Sequence, residues 1–491
     1  MSMFHPPALP FINNISQKFM FHVKQFLNFL ENAAWRAGVK HLSAWLMKLR
    51  FHEVFFYLFL LLLPIQTRML YNPAQSYISW YFNYHLAIFV YLTDLILILC
   101  FLSWLVFERP RISLTSKLWL LLGLFLWVVV SVFHVKQIKL GIYGVFKWFE
   151  LLLLLIYLRE TFRETIQFRL SATILFILGV TQAILALWQF HVQHMLGLKF
   201  LGEYIPPLGT TGLATIDTLG GKVIRAYGTF PHPNVLASFL IFALFMGFFL
   251  VSSAFAEASA GRRETKLRLF LVSCGTILIT LGIFVTFSRL AWLATAIGYL
   301  GFGIYWLWHK QWKKSLILAI IGIVSCLSAG VLTKADGTYF ELLKTRVLDQ
   351  NQTSITDRGF FNDLGLNLVA QHPWLGVGVG NYVPALRDLY ALKAWQYQPA
   401  HNIFIFIAAE SGVGALAIFV LIIIQIFRGA RHGPVGPLKF SLIFLGLIFL
   451  ILGQFDHYFV TIQQGRLMLF VVLGLLAALP NLQHEILNDK L

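Results

Sequence analysis

The chain has 491 residues, 58% of them hydrophobic and 12% charged, against the roughly 25% charged usage of soluble globular domains. Its 47 Phe and 14 Trp exceed what soluble cores of this length bury, so a soluble globular protein is excluded and lipid is the expected solvent. The net charge of +17 is read through its placement, because Lys and Arg collect in the cytoplasmic connections of membrane proteins, and no nucleic-acid partner is expected.

Residues 1–52 are predicted to be a basic amphipathic arm on the cytoplasmic membrane face. They lack a compact apolar run followed by a small-residue cleavage site, so no cleaved signal peptide is expected. Apolar runs of about 20 residues, the length a hydrocarbon core of roughly 30 Å requires, begin near Glu53, Tyr84, Lys117, Leu140, Phe168, Val235, Leu267, Leu290, Ser315, Asn402, Leu438 and Arg466. The fold class is therefore expected to be all-α, a polytopic membrane protein of about 12 transmembrane helices over 53–480, with 481–491 as a cytoplasmic tail. With both termini inside, the clusters RPRISLTSK, GRRETKLR, HKQWKK and RGARHGP all fall on the cytoplasmic side, as the positive-inside rule asks.

Two long connections, 191–234 and 334–401, then lie outside, the second between helices 9 and 10 and too long to be an idle link. Within it TDRGFFNDLGLNLVAQ spaces Phe361, Leu364, Leu368 and Val369 as a helix, and HPWLGVGVGNY ends that helix in a tight glycine turn.

In the membrane, Lys147 and Glu150 are three apart on one helix face, and Asp94 is placed mid-span nearby. A structural polar clamp is the favoured reading over an ion path. Cys100, Cys274 and Cys326 sit in apolar runs without ligand or disulfide spacing. Gly376, Gly378 and Gly380 lack the strand and the Lys-Ser/Thr of a nucleotide loop. His191 and His194 have no third ligand nearby, so no metal is expected.

The candidate chemistry comes from charges that break the inside rule. Arg289, in VTFSRLAWLA, sits between two spans too close for a loop, and a cation in that apolar setting points to function. Arg225 and Arg358 lie in the two outer loops; Arg225 taken alone is expected to snorkel to lipid headgroups. His401 stands at the outer end of the tenth span, with Glu410 about 13 Å deeper at 1.5 Å per residue. Such a histidine can remove a proton from a hydroxyl near neutral pH, although capping of the span is the plainer reading. The cationic cluster suits a phosphate-bearing ligand presented from the membrane.

The stretches RAYGTFPHPNVLASFL, VTFSRLAWLATAIG, TDRGFFNDLGLNLVAQHPWLGVGVGNY and AHNIFIFIAAESGVGALAIFVLI resemble, in that order, the bacterial O-antigen ligase and polymerase family. The resemblance implies a GT-C-like inner-membrane glycosyltransferase with an extracytoplasmic active site and no cofactor. It would move a preassembled glycan from undecaprenyl diphosphate to a hydroxyl of a lipid, glycan or protein acceptor, without a metal and with inversion. It implies that Arg289 and Arg358 bind the diphosphate and that His401 is the base, with Arg225, His232, Asn234, Asn381 and Glu410 shaping the site. Ligation is the leading expectation. Repeat-unit polymerisation by the same machinery is the alternative, and anion or bicarbonate transport is the alternative from another class.

Overall fold

The computed structural model describes residues 50–110, 116–205, 210, 212–218, 221–259, 263–334, 353–434 and 436–482. The N-terminal arm, apart from its last residues, the C-terminal tail beyond 482 and part of the 334–401 loop lie outside the described residues. The helices are α1 (Phe51–Leu62), α2 (Leu92–Ser103), α3 (Ser116–Val130), α4 (Ile138–Thr161), α5 (Thr165–Val192), α6 (Pro233–Ser259), α7 (Arg263–Val285), α8 (Arg289–Trp308) and α9 (Trp312–Lys334). They continue as α10 (Thr353–Gln371), α11 (Tyr382–Leu389), α12 (Ile403–Ala430), α13 (Pro437–Leu452), α14 (Tyr458–Thr461) and α15 (Gln463–Ala478).

Eight of these, α4 to α9, α12 and α15, have described stretches long and apolar enough to cross a membrane, which makes this a multi-pass membrane protein. The runs expected from Glu53, Lys117 and Leu438 form helices of 12, 15 and 16 residues. The run expected from Tyr84 is corrected: its helix starts at Leu92, and residues 84–91 form a 3-10 turn and a strand instead. Asp94 therefore sits in the first turn of α2 and not mid-span, its carboxylate accepting from the Tyr91 N–H at 3.1 Å.

Helix α6 is the axis of the bundle. It is apolar all round and buried along its length, the pattern of a helix enclosed by others. Small residues let its neighbours close in: a Cβ on Gly179 of α5 would lie 2.2 Å from the Ala243 Cβ of α6, and one on Gly282 of α7 would lie 2.7 Å from Ala183 of α5. α9, by contrast, presents most of its surface outward, as a lipid-facing helix does.

The predicted clamp forms. Lys147 Nζ lies 2.6 Å from Asp94 Oδ2 and 3.2 Å from Glu150 Oε2, all three side chains being almost wholly buried. Gln463 Nε2 donates to Asp94 Oδ1 at 2.6 Å, so α2, α4 and α15 are tied at one point. A buried cation between two carboxylates, with an amide on a further acceptor, is the arrangement of a structural clamp, although Glu150 Oε1 is left without a hydrogen-bond partner among the described residues.

At one end of the bundle three short antiparallel strand pairs supply the irregular structure. β1 (Arg68–Leu70) pairs with β4 (Phe89–Tyr91), β2 (Tyr77–Ile78) with β3 (Tyr81–Phe82), and β5 (Thr215–Thr218) with β6 (Gly221–Ile224). The expected helix over TDRGFFNDLGLNLVAQ is the body of α10, with Phe361, Leu364 and Leu368 in the core.

The glycine turn after α10 acts as a wedge. Gly376, Gly378 and Gly380 have φ of 66°, 88° and 75°, the left-handed region that glycine adopts without a Cβ clash. A Cβ at Gly376 would lie 2.5 Å from the Glu410 carbonyl carbon, and one at Gly380 would lie 2.3 Å from Leu140 O. Gly412, at φ 85°, kinks α12 where it meets Trp374 O. The turn thus locks α12 to the start of α4 and to residues 131–135, fixing the upper half of α12 and the His401 that precedes it.

Candidate active site

The two residues after His401 are tied to the turn that follows α13, one by its backbone and one by its side chain. Ile403 N donates to Gly453 O at 2.8 Å, and Asn402 Nδ2 donates to Gln454 Oε1 at 2.9 Å. The expected capping role of His401 is corrected, because Asn402 is the cap: its Oδ1 accepts from Phe404 N at 2.9 Å and Ile405 N at 3.2 Å, satisfying two of the otherwise unpaired helix-terminal donors. The ring of His401 is released to the cavity, where it packs against Phe361 at 5.4 Å between centroids.

The same pairing brings Asp456 beside it. His401 Nδ1 lies 3.6 Å from Asp456 Oδ1, beyond hydrogen-bond length but within ion-pair reach. Asp456 also accepts from its neighbours: His457 N donates to Oδ1 at 2.9 Å, and Asn234 Nδ2 donates to Oδ2 at 3.0 Å. Asn234 in turn accepts from Arg225 Nη2 at 2.8 Å. A chain Arg225–Asn234–Asp456–His401 therefore crosses the site, linking the start of α6 to the start of α12.

Arg225 is not a snorkelling residue. It is 6% exposed, and its Nε donates to Thr286 O at 2.6 Å, which joins the segment before α6 to the turn between α7 and α8. That turn is tight, with Phe287 at φ 50°, and it puts Arg289 at the first residue of α8, half-buried. A cation there opposes the positive end of the helix dipole; an anion held against both would be favoured by each. Arg358, on α10, donates through Nε to Phe455 O at 2.9 Å, which leans it over the 453–457 loop.

These groups line one open cavity of about 900 Å³, reached by Arg225, His232, Asn234, Arg289, Arg358 and His401, six of the eight residues singled out from the sequence. Asn381 and Glu410 are elsewhere. Asn381 Oδ1 accepts from Gln137 N at 3.0 Å and its Nδ2 donates back to Gln137 O, so it fastens the glycine turn to the start of α4. Glu410 lines a separate, smaller cavity of about 70 Å³ together with Tyr143, Lys147 and Arg466.

The sequence reading missed Asp456, His457 and His85, all on the cavity wall. The signal for the first two was present: DHY interrupts two apolar runs at the same end of the bundle as His401, the argument that singled out Arg289. His457 packs edge-on against both His401 (4.9 Å between centroids) and His85 (5.4 Å). Thr461 Oγ1 donates to His457 O at 3.0 Å, so at its 2.7 Å contact with the ring it accepts from His457 Nδ1.

Burial, reinforced by the charge of His401, pushes His457 well below the ordinary imidazole range. Burial likewise lowers His85 and His232 to about 3, helped by Arg466 and Arg225 respectively; both rings are open to the cavity on one side, which softens the effect. Burial alone would raise Asp456, but the close approach of His401 outweighs that and holds the carboxyl well below its ordinary range.

For the three histidines the folded-state values lie below that of free imidazole, so the unfolded chain binds more protons below pH about 6.5. Their contribution is fully present above that pH and is lost progressively as pH falls toward the folded values. Asp456 stays ionised through this window. The melting temperature of the purified protein is thus expected to fall steadily from about pH 7 to about pH 4.5, and a flat profile would contradict these assignments.

His401, Asp456 and His457 also bring donor atoms within 4.8 Å of one another. As a cation site the set is poor. His457 Nδ1 and both Asp456 oxygens already have partners, and three guanidinium groups line the same cavity, which favours an anion.

Residues 274–420 match the family model described as O-antigen ligase. Over those 147 of its 491 residues the chain is similar to an O-antigen ligase domain. That domain spans α8, α10, the glycine turn and much of α12, and so contains Arg289, Arg358 and His401, whereas Arg225, Asn234 and Asp456 reach the same cavity from outside it. No curated protein matches the chain. A solved structure described as "Structural coordination of polymerization and crosslinking by a peptidoglycan synthase complex" aligns with 74% of this chain and 96% of its own, at 13% identity and a TM-score of 0.35, a likeness too slight to assign a fold.

Proposed function

We propose that this protein is a metal-independent glycosyltransferase of the O-antigen ligase type. It transfers a preassembled glycan from undecaprenyl diphosphate to an acceptor hydroxyl on the extracytoplasmic face of a bacterial inner membrane. The observation that carries this reading is the single cavity in which three arginines surround one histidine paired with a carboxylate.

In this reading the arginines hold the diphosphate and offset the charge that grows on it as the glycosidic bond breaks, Arg289 acting with the first turn of α8. His401 takes the acceptor proton through Nε2, while Asp456 on the Nδ1 side orients the ring and stabilises the imidazolium that forms. The acceptor oxygen bonds to the anomeric carbon as the diphosphate leaves from the opposite side, which inverts that carbon. The Asp94–Lys147–Glu150 clamp has no part in the chemistry, and the gathering of the arginines in one cavity at one end of the bundle weighs against the transport alternative.

The test is consumption of an undecaprenyl-diphosphate oligosaccharide by the purified protein in chelator, with products resolved by size and anomeric configuration. A single acceptor-dependent product supports ligation, and a ladder of repeats supports polymerisation by the same residues. Arg289→Ala is expected to lower turnover by roughly 10²–10³-fold, the usual cost of removing one charge-stabilising donor, and to weaken donor binding. Unchanged turnover and binding in that variant would remove the arginine cluster from the account, and retention of configuration would remove direct displacement.

A further inference from the structure

The cavity around His401 is not alone at this end of the bundle. A second one of about 940 Å³ lies on the other side of the β2–β3 hairpin. The hairpin is the partition between them: Tyr77 pairs with Phe82 and Ile78 with Tyr81, and Tyr77 lines the second cavity while Tyr81 and Phe82 line the first. A chain leaving the first cavity over this two-stranded wall enters the second.

Its lining differs from that of a lipid-facing surface. Tyr71 and Tyr77 present largely open rings, 67% and 47% exposed, and three cations, Lys136, Lys139 and Arg387, face one carboxylate, Asp388. Lys136 Nζ and Asp388 Oδ2 pair at 2.8 Å, which leaves the charge of Lys139 and Arg387 in excess. Open aromatic faces stack on the C–H faces of sugar rings, amides and guanidinium groups bind hydroxyls and carboxylates, and the volume is that of a ligand site.

We propose that this second cavity is a subsite for an acidic oligosaccharide, the stretch of glycan remote from the reacting sugar that has passed over the β2–β3 hairpin. This inference rests on the glycosyltransferase reading for its substrate class and assigns that substrate negative charge along its length. Donor and acceptor glycans share the required chemistry, and the test separates them.

The experiment titrates the detergent-purified full chain with oligogalacturonides and, as neutral probes, maltooligosaccharides of equal length. Acidic oligomers are expected to bind in a salt-dependent way and to lose at least about tenfold in affinity in Lys136→Ala/Lys139→Ala/Arg387→Ala, with excess positive charge as the cause. Tyr77→Ala, which keeps the charge, is expected to weaken acidic and neutral oligomers alike. His401→Ala is expected to bind as the wild type does, so the titration stands even if no transfer is observed, and a failure of the transfer reading is seen separately as absent turnover. Where turnover is measured, a raised KM for glycosylated donor assigns the subsite to the donor, and a raised KM for acceptor assigns it to the acceptor. Equal binding of acidic oligomers by the wild type and the triple variant, or no preference for acidic over neutral oligomers, would overturn the proposal.

Discussion

His401→Ala is expected to lower glycan transfer by roughly 10²–10⁴-fold, the range associated with loss of a positioned general base, while the protein folds and binds its donor normally. The argument is geometric. Asn402 satisfies the N-terminus of α12, so His401 is not needed to cap it, and the His401 ring faces the cavity that Arg225, Arg289 and Arg358 also line. Asp456 is held by Asn234 and the His457 N–H within ion-pair reach of the His401 Nδ1 side. Asp456→Asn keeps the shape of the site but removes the charge that stabilises the imidazolium, so turnover falls in that variant as well. If His401→Ala lost donor binding in proportion to turnover, the histidine would be a ligand-holding group instead of a base.

Lys147→Met is expected to reduce stability by about 3–5 kcal/mol, because it leaves two carboxylates buried together with no cation between them. Replacing the whole set, Asp94→Asn with Lys147→Met and Glu150→Gln, removes the charges together and is expected to recover most of the loss. Thermal unfolding in detergent distinguishes the two. A single variant that melts like the wild type would mean that the clamp does not hold α2, α4 and α15 together. A folded triple variant with wild-type turnover would separate the clamp from the chemistry, whereas lost turnover in a stable triple variant would implicate it.

The helical architecture was legible because lipid demands long apolar runs, and eleven of the twelve helix starts expected from those runs, such as those near Val235, Leu290 and Asn402, fall within four residues of the observed ones. The start near Tyr84 was not, since an aromatic-rich segment of the β1–β4 strand pair is as apolar as a span but too interrupted by polar residues and turns to be one. In the site, Arg289, Arg358 and His401 were legible from charge out of place. The snorkelling reading of Arg225 failed because its partners, Thr286 O and Asn234, lie 61 and 9 residues away, and no spacing rule connects the segment before α6 to the α7–α8 turn. Asp456 was missed for the same reason: its tie to His401 runs through Gly453 and Gln454, a contact made only when α12 and α13 pack. Asn381 and Glu410 sat in the right motifs, but the glycine turn directs them inward to α4 and α12 and away from the cavity.

The most direct test of the central claim measures donor binding and turnover side by side on one preparation each of wild type, His401→Ala and Arg289→Ala, using the lipid-diphosphate glycan. The account predicts that His401→Ala binds donor as the wild type does yet fails to turn it over, while Arg289→Ala loses both. Wild-type turnover in His401→Ala, or unaltered donor binding and turnover in Arg289→Ala, would contradict it.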